Sequence, residues 1–192
     1  MGGRVVPSLR KNIEAESLRA FEAILADLNL PVDGRGYGAA NRFDAGFNLV
    51  GQQRYQFGDL RVMQEDRIVV VEVESAGGLT NLVKYWPLAE STTLPILLIH
   101  AFGQSSVNDY LSHLLLWDFT WEKMRGEIWA DAKPSLFARR YNYSQTNPEG
   151  LVEAARDFRR CLTEPLSVIQ SDIFNYIQDA QGANAPMNDG EK

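Results

Sequence analysis

The chain has 192 residues, of which 45% are apolar and 23% are charged, a composition that fits a globular domain and excludes collagen-like, coiled-coil and wholly disordered chains. Its single cysteine, Cys161, excludes a disulfide framework or a zinc ribbon and fits a reducing cytosol. The net charge of -6, from 25 acidic and 19 basic residues, requires that any nucleic-acid binding come from a local basic patch.

Two features of the sequence predict the cellular location of the protein. The basic residues of segment 1–11 precede no apolar core, so no signal peptide is expected. The longest apolar stretch, residues 94–102, is too short to span a bilayer. We therefore expect a cytoplasmic protein that does not associate with a membrane.

The first half of the chain predicts a helix, a glycine-rich stretch and a β-hairpin. Apolar residues recur at steps of three and four over residues 8–28, which indicates an amphipathic helix. The glycine-rich stretch covers residues 34–51, and its residues 43–50 are a candidate for one further strand. Residues 53–75 alternate in polarity, turn at a polar tetrapeptide and continue as a valine-rich run, so they predict the hairpin.

The second half predicts helices around one buried strand. In chain order the elements are a helix from Leu79 that Pro87 kinks or closes, a buried strand over residues 95–101, a helix over residues 107–117, a segment over residues 119–129 that is ambiguous between helix and strand, a polar and turn-rich segment over residues 133–148, and a helix over residues 151–178 that Pro165 interrupts.

The order of these elements, αβββαβ, predicts the fold class. It indicates an α/β fold with a mixed central sheet that is flanked by helices and followed by C-terminal helices. One domain is expected over residues 1–180, and residues 181–192 lack apolar periodicity and are expected to be disordered.

The hairpin brings acidic residues together if its turn centres on Glu65 and Asp66. Opposing residues then have numbers with a constant sum, and one face of the pair is wholly apolar, which satisfies the burial pattern. That face holds Leu60, Val62, Val69, Val71 and Val73, whereas the other face carries Asp59, Glu72 and Glu74 near one end.

Three carboxylates on one sheet face need a partner, because like charges opposite each other destabilise a sheet and buried carboxylates lose hydration. A divalent cation removes both objections. Mg²⁺ takes oxygen ligands and is typically held by one or two carboxylates together with water and substrate phosphate. The pattern therefore favours a metal site at which a phosphodiester is hydrolysed.

Gly58-Asp59, followed by Glu72-Val73-Glu74, resembles the PD-(D/E)XK nucleases, which are restriction endonucleases and related DNA-processing enzymes with an αβββαβ core. The resemblance covers residues 8–102. It implies a restriction-endonuclease-like core, DNA as substrate and Mg²⁺ as cofactor, for which Mn²⁺ can substitute. Asp59 matches the first acid and Glu72 the second, and the Val73 carbonyl is the implied additional metal ligand.

The sequence departs from the family pattern in two places. Gly58 stands where proline is usual, and Glu74 occupies the position of the motif lysine. Glu74 then binds a second ion or acts as general base. Alternatively Lys84, on the following helix, supplies the missing cation, as in some family members, or the site is inactive and the fold is a nucleic-acid-binding or assembly module. We favour Glu74, because it shares a sheet face with Glu72, and we leave a homodimer open.

Other candidate residues keep more than one interpretation. Arg35 and Arg42 alternate with aromatic residues in the glycine-rich stretch, which is a flexible lid, a DNA-contacting loop or an ordinary surface loop. Basic residues at 133, 139, 140, 156, 159 and 160 either contact phosphates or form solvated faces. Glu16 is either an extra acid of the site or part of a charged helix face. His100 and His113 are expected to be packed core histidines.

Overall fold

The computed structural model describes residues 9–36, 41–44, 54–74, 79–104, 110–129, 135–144 and 146–174. Within these ranges no helix is both long enough and apolar enough to cross a membrane. The helices are α1 (Leu9–Asp27), α2 (Leu79–Val83), α3 (Tyr85–Ser91), α4 (Tyr110–Ile128), α5 (Glu149–Thr163) and α6 (Leu166–Asp172). The strands are β1 (Gly34–Arg35), β2 (Arg42–Asp44), β3 (Arg54–Gln56), β4 (Leu60–Met63), β5 (Ile68–Glu74), β6 (Ile96–Gln104) and β7 (Leu136–Ser144).

A mixed five-stranded sheet organises the fold, in the order β1-β4-β5-β6-β7. The pairs β1–β4 and β4–β5 are antiparallel, whereas β5–β6 and β6–β7 are parallel. A separate two-stranded antiparallel sheet joins β2 to β3. The predicted α/β class with a mixed central sheet flanked by helices is therefore confirmed.

Helices cover both faces of the central sheet, so the core has two parts. One part packs α1, α5 and α6 on one face, and it includes Phe21, Phe158 and Ile169. The other part packs α2, α3 and α4 on the opposite face, and it includes Tyr85 and Trp121. Burial on both sides explains why β5 and β6 are almost continuously apolar rather than alternating.

The predicted hairpin register is confirmed. Leu60 pairs with Val71 and Met63 pairs with Ile68. The wholly apolar face lies in the core beside α1 and α5. The opposite face is buried too, because Ile68 and other β5 residues pack beneath α2, α3 and α4, so the acids of β5 sit at the margin of a second core rather than on an open surface.

The first helix ends where the sequence indicates, at Asp27. Asn29 adopts a positive φ of 52°. The Leu30 N–H donates to the Leu25 carbonyl at 2.9 Å, and the Asn29 N–H donates to the Ala26 carbonyl at 3.2 Å. This pair of bonds is a Schellman cap, which satisfies the last carbonyls of the helix.

The helix predicted from Leu79 breaks at Lys84 rather than at Pro87, which lies in the first turn of α3. A proline ring clashes with the carbonyl four residues earlier, here that of Val83, so the break precedes the proline. Of the strand predicted over residues 43–50, residues 43 and 44 belong to β2, which pairs with β3 in the small sheet, while β1 extends the central sheet. Residues 45–50 lie outside the described residues.

The polar segment over residues 133–148 contains strand β7, so its assignment as turn-rich was wrong. Arg139 bonds Asp157 and Glu153 on α5, and Arg140 bonds Asp118 on α4, so paired charges account for the polarity of the strand. Residues 110–117 and 119–128 of the two predicted segments belong to one helix, α4, and residues 107–109 lie outside the described residues. The interruption at Pro165 is confirmed, and the predicted tail lies outside the described residues.

Candidate active site

Asp59 is placed by the turn that leads into β4. Gly58 has a φ of +79°, and a Cβ there would lie 2.4 Å from Val70 Cγ1, so both its backbone conformation and its surroundings require glycine. The Asp59 N–H continues the ladder by donating to the Val71 carbonyl at 2.8 Å. The Asp59 carboxylate then replaces the next ladder acceptor, because its Oδ2 accepts from the Val73 N–H at 2.8 Å.

Glu72 is 1% exposed, and its Oε1 is held by two neighbouring residues. Lys84, at the junction of α2 and α3, forms an ion pair with Oε1. The Tyr85 hydroxyl donates to the same oxygen at 2.6 Å. A buried carboxylate with a cation and a hydroxyl donor meets the requirement that interior charges be paired and hydrogen-bonded.

Glu74 joins the same network through an amide. Asn81 Nδ2 donates to Glu74 Oε2 at 2.7 Å, and Asn81 Oδ1 accepts from Lys84 Nζ at 3.2 Å. The Lys84 ammonium therefore lies between Glu72 and Asn81, and Asn81 links it to Glu74. Of the four side chains predicted for the site, Glu72 and Lys84 are in contact, Asn81 links Lys84 to Glu74, and the charge of Lys84 also acts on Asp59.

Gln56, at the end of β3, connects the small sheet to the site. Its Nε2 donates to Asp59 Oδ1 at 2.9 Å and to the Gly58 carbonyl at 3.0 Å. Both oxygens of the Asp59 carboxylate thus accept a hydrogen bond, one from Gln56 and one from Val73. Since each carboxylate oxygen has two acceptor directions, these bonds orient Asp59 without using its full capacity.

Burial controls the protonation of the two acids. It raises the pKa of Glu72 to about 7, and the charge of Asp59 adds to that rise, while Lys84 and the Tyr85 hydroxyl oppose it. Burial also raises the pKa of Asp59. The hydrogen bonds from Val73 and Gln56 and the charge of Lys84 lower it, but they offset the effect of burial only in part. The Tyr85 hydroxyl has a pKa well above its ordinary value, chiefly because of burial, so it remains a donor.

His100 lies beside Glu72 on the neighbouring strand, where the two residues are register partners. It is fully buried, and Trp117 Nε1 donates to its Nδ1 at 3.0 Å. Burial lowers the pKa of His100 to about 3, helped by the charge of Lys84, so the imidazole is neutral with its proton on Nε2. The prediction of a packed core histidine is confirmed for His100, whereas His113 is half-buried.

The acidic side chains of the site meet the needs of a metal ion only in part. Within the described ranges no group of three or more His, Cys, Asp or Glu side chains is arranged to hold a cation. The proposed three-carboxylate set is therefore not assembled, since Asn81 engages Glu74. Asp59 and Glu72 are still neighbouring hard-oxygen donors whose charges interact, and two carboxylates with water are sufficient for Mg²⁺. The Val73 carbonyl stays a predicted ligand.

Sequence reasoning missed three polar residues of the site, namely Gln56, Asn81 and Tyr85. Asn81 precedes Lys84 by three residues on a predicted helix, a spacing that places both on one side and could have revealed it. Gln56 and Tyr85 carried no such signal. On α1, Glu16 is exposed, and Glu14 is the acid whose charge raises the pKa of Asp59.

Comparison of the chain with protein-family models, with curated proteins and with solved structures gives no match.

Proposed function

We propose that this protein is a metal-dependent nuclease that hydrolyses DNA phosphodiester bonds, with a restriction-endonuclease-like core. The observation that carries the proposal is the contact of Lys84 Nζ with Glu72, in a site that also contains Asp59. The sequence lacks a lysine at the motif position, and this contact supplies a cation to the two acids from the helix that follows.

The connectivity of the sheet supports the same proposal. In chain order α1, β1, β4, β5, the α2–α3 pair and β6 follow one another, with β2 and β3 inserted as a separate sheet. The pairings are antiparallel, antiparallel and parallel. This order agrees with the αβββαβ core that the resemblance implies.

In the proposed mechanism Asp59 and Glu72 would hold Mg²⁺, and the bound ion would lower the pKa of a water molecule so that a nucleophile is available at neutral pH. Lys84 places its ammonium where it can stabilise the negative charge that develops on the phosphate in the transition state. Glu72 and Asn81 fix the ammonium before the substrate arrives, so little reorganisation is needed. Burial strengthens this electrostatic effect, because the surroundings of Lys84 screen charge less than water does.

Lys84 takes the role of the motif lysine in this proposal, in preference to Glu74. The sequence favours Glu74 because it shares a sheet face with Glu72, but the residue that forms an ion pair with Glu72 is Lys84, from the helix that follows the strand. Glu74 is half-buried and is bonded to Asn81, so its carboxylate supports the network from the side.

Cleavage of supercoiled plasmid DNA with Mg²⁺ or Mn²⁺ tests the proposal. Asp59→Ala and Lys84→Ala should each reduce the rate by at least about 100-fold, the scale of losing one transition-state electrostatic contact. Glu74→Gln should have a mild effect, because glutamine keeps an oxygen that accepts from Asn81. Glu65→Gln removes an exposed charge in the hairpin turn and is the matched control. Cleavage that survives Asp59→Ala would refute the nuclease, and loss confined to Glu74→Gln would reverse the roles.

A catalytically inactive nucleic-acid-binding or assembly module is the second candidate. The burial of Glu72 and Lys84, which are 1% and 8% exposed, favours it, since such a pair can serve the fold alone. Calorimetric titration with Mn²⁺ separates the two candidates. Binding that Asp59→Ala abolishes supports the nuclease, whereas the absence of binding by the wild-type protein supports the inactive module.

A further inference from the structure

The small β2–β3 sheet is fastened to the candidate active site by side-chain hydrogen bonds. Asn41, which is 1% exposed, donates through Nδ2 to the Gly36 carbonyl at 2.9 Å and to the Gly58 carbonyl at 2.8 Å. The backbone carbonyl of Asn41 accepts a hydrogen bond from the Phe57 N–H at 2.9 Å. Together with the bonds of Gln56 to Gly58 and Asp59, these contacts fix both strands of the small sheet at the turn that positions Asp59.

Arg42 follows Asn41 directly and is the register partner of Gln56. Partners in an antiparallel pair lie side by side on the same face of the sheet. The Arg42 side chain is therefore on the same face as the Gln56 amide that contacts Asp59. It is exposed, so its guanidinium extends into solvent from a position next to an anchored residue of the site.

Most of the other arginines in the described ranges form ion pairs with carboxylates. Arg35 pairs with Glu22 at 3.0 Å, although it lies close to the same turn. The basic residues that the sequence suggests as phosphate contacts on β7 and α5 also form ion pairs with carboxylates. Ion pairs engage Arg139, Arg140, Arg156, Arg159 and Arg160, and residue 133 lies outside the described residues. Arg42 forms no ion pair with any residue in the part of the chain that the structure describes.

We propose that Arg42 binds a backbone phosphate of the DNA next to the bond that is cleaved, and that the β2–β3 sheet is the element that positions it. The proposal rests on the proposed nuclease function and names a contact of that same site. A guanidinium suits this task because it stays charged and can donate two parallel hydrogen bonds to a phosphate. A local cation is also what a chain with a net charge of -6 needs in order to attract DNA at this point.

Fluorescence anisotropy with a short labelled DNA duplex tests the contact, with Ca²⁺ in place of Mg²⁺ so that binding is measured without turnover. Arg42→Gln should weaken binding about fivefold, the scale of one exposed charge contact. It should also make the dependence of log affinity on log salt shallower by about 0.9, the share of one phosphate. Arg42→Lys should retain most of the affinity and the slope.

The matched control is Arg159→Gln, which removes the same charge from an exposed position on α5. This helix covers the face of the central sheet opposite to the one that α2 and α3 cover. If Arg159→Gln changes the affinity and the salt slope as much as Arg42→Gln, net charge alone explains the effect and the proposal is wrong. An unchanged slope in Arg42→Gln also overturns it.

The outcomes also separate this proposal from the nuclease. DNA binding that depends on Arg42, without any plasmid cleavage, contradicts the nuclease and leaves the phosphate contact supported. Cleavage that depends on Asp59, with a salt slope that Arg42→Gln does not change, contradicts only the contact. A wild-type protein that neither binds nor cleaves DNA contradicts both. In steady-state cleavage, Arg42→Gln should raise KM and leave kcat nearly unchanged, because the contact is made equally in the ground and transition states.

Discussion

Substitution of Glu72 by glutamine should change how the stability of the metal-free protein depends on pH. Glu72 has a pKa of about 7 in the folded protein, against an ordinary value of 4.5. Between these values the folded protein keeps a proton that the unfolded chain has released. The stabilisation from this proton is complete below the unfolded pKa and is lost as the pH rises through the folded pKa. Glutamine carries no such proton, so the variant lacks this loss.

His100, the register partner of Glu72, acts in the opposite sense. Its pKa is about 3 in the folded protein, against an ordinary value of 6.5. Its stabilisation is complete above the unfolded pKa and is lost as the pH falls through the folded pKa. Since one pKa unit corresponds to about 1.4 kcal/mol, the two slopes nearly cancel where their windows overlap, from about pH 4.5 to pH 6.5.

Urea unfolding of wild type and Glu72→Gln in EDTA measures the effect, at several pH values between 4.5 and 7. Relative to wild type, the variant should gain about 3 kcal/mol in the free energy of unfolding across this range, from a span of about 2.5 pKa units. The wild type should vary little up to about pH 6.5, whereas the variant should lose stability as the pH falls, because His100 is then unopposed. Glu65→Gln, which removes an exposed acid from the hairpin turn, serves as the control.

A constant difference between Glu72→Gln and wild type would refute this reasoning. It would show that Lys84 holds Glu72 ionised throughout the range and that the ion pair outweighs burial.

Four further substitutions test the packing of the site and of the helices that cover the central sheet. Gly58→Ala should destabilise the protein by about 2–3 kcal/mol in urea unfolding, because its φ is positive and its Cβ would meet a β5 side chain at 2.4 Å. Gly126→Ala, on α4 where a Cβ meets nothing within 4 Å, should instead stabilise by about 0.5–1 kcal/mol, and equal effects of the two would contradict the argument. Tyr85→Phe should cost about 1–3 kcal/mol above pH 7, where Glu72 loses a donor to its ionised form, and less at pH 5. Asp157→Asn should cost about 3–5 kcal/mol, because this buried acid on α5 balances arginines on β7 and α5, and a thermal-unfolding midpoint equal to that of wild type would contradict this expectation.

The hairpin could be predicted residue by residue because two constraints agreed. A polar turn fixed its centre, and only one register buried every apolar residue of one face. Asp59 and Glu72 came to the same end of the hairpin as a consequence of that register. Strand β7 could not be predicted in the same way, because its polarity is balanced by Asp157, Glu153 and Asp118 on two helices that only the tertiary fold brings near.

The contacts of Lys84 follow from a geometrical rule that the sequence pattern alone did not supply. A helix that connects two parallel strands returns antiparallel to them, so the later helix residue lies opposite the earlier strand residue. Two strand residues on one face are about 6.6 Å apart along the strand, and helix residues three apart rise about 4.5 Å along the axis. Lys84 accordingly reaches Glu72, and Asn81, three residues before it, reaches Glu74. In this chain, the strand ends in acid-x-acid, and Asn-x-x-Lys follows in the connection to the next strand. The lysine ammonium pairs with the first acid, Glu72, and the asparagine amide bonds the second, Glu74. For this reason the acid at position 74 does not need to become a lysine for the site to contain one.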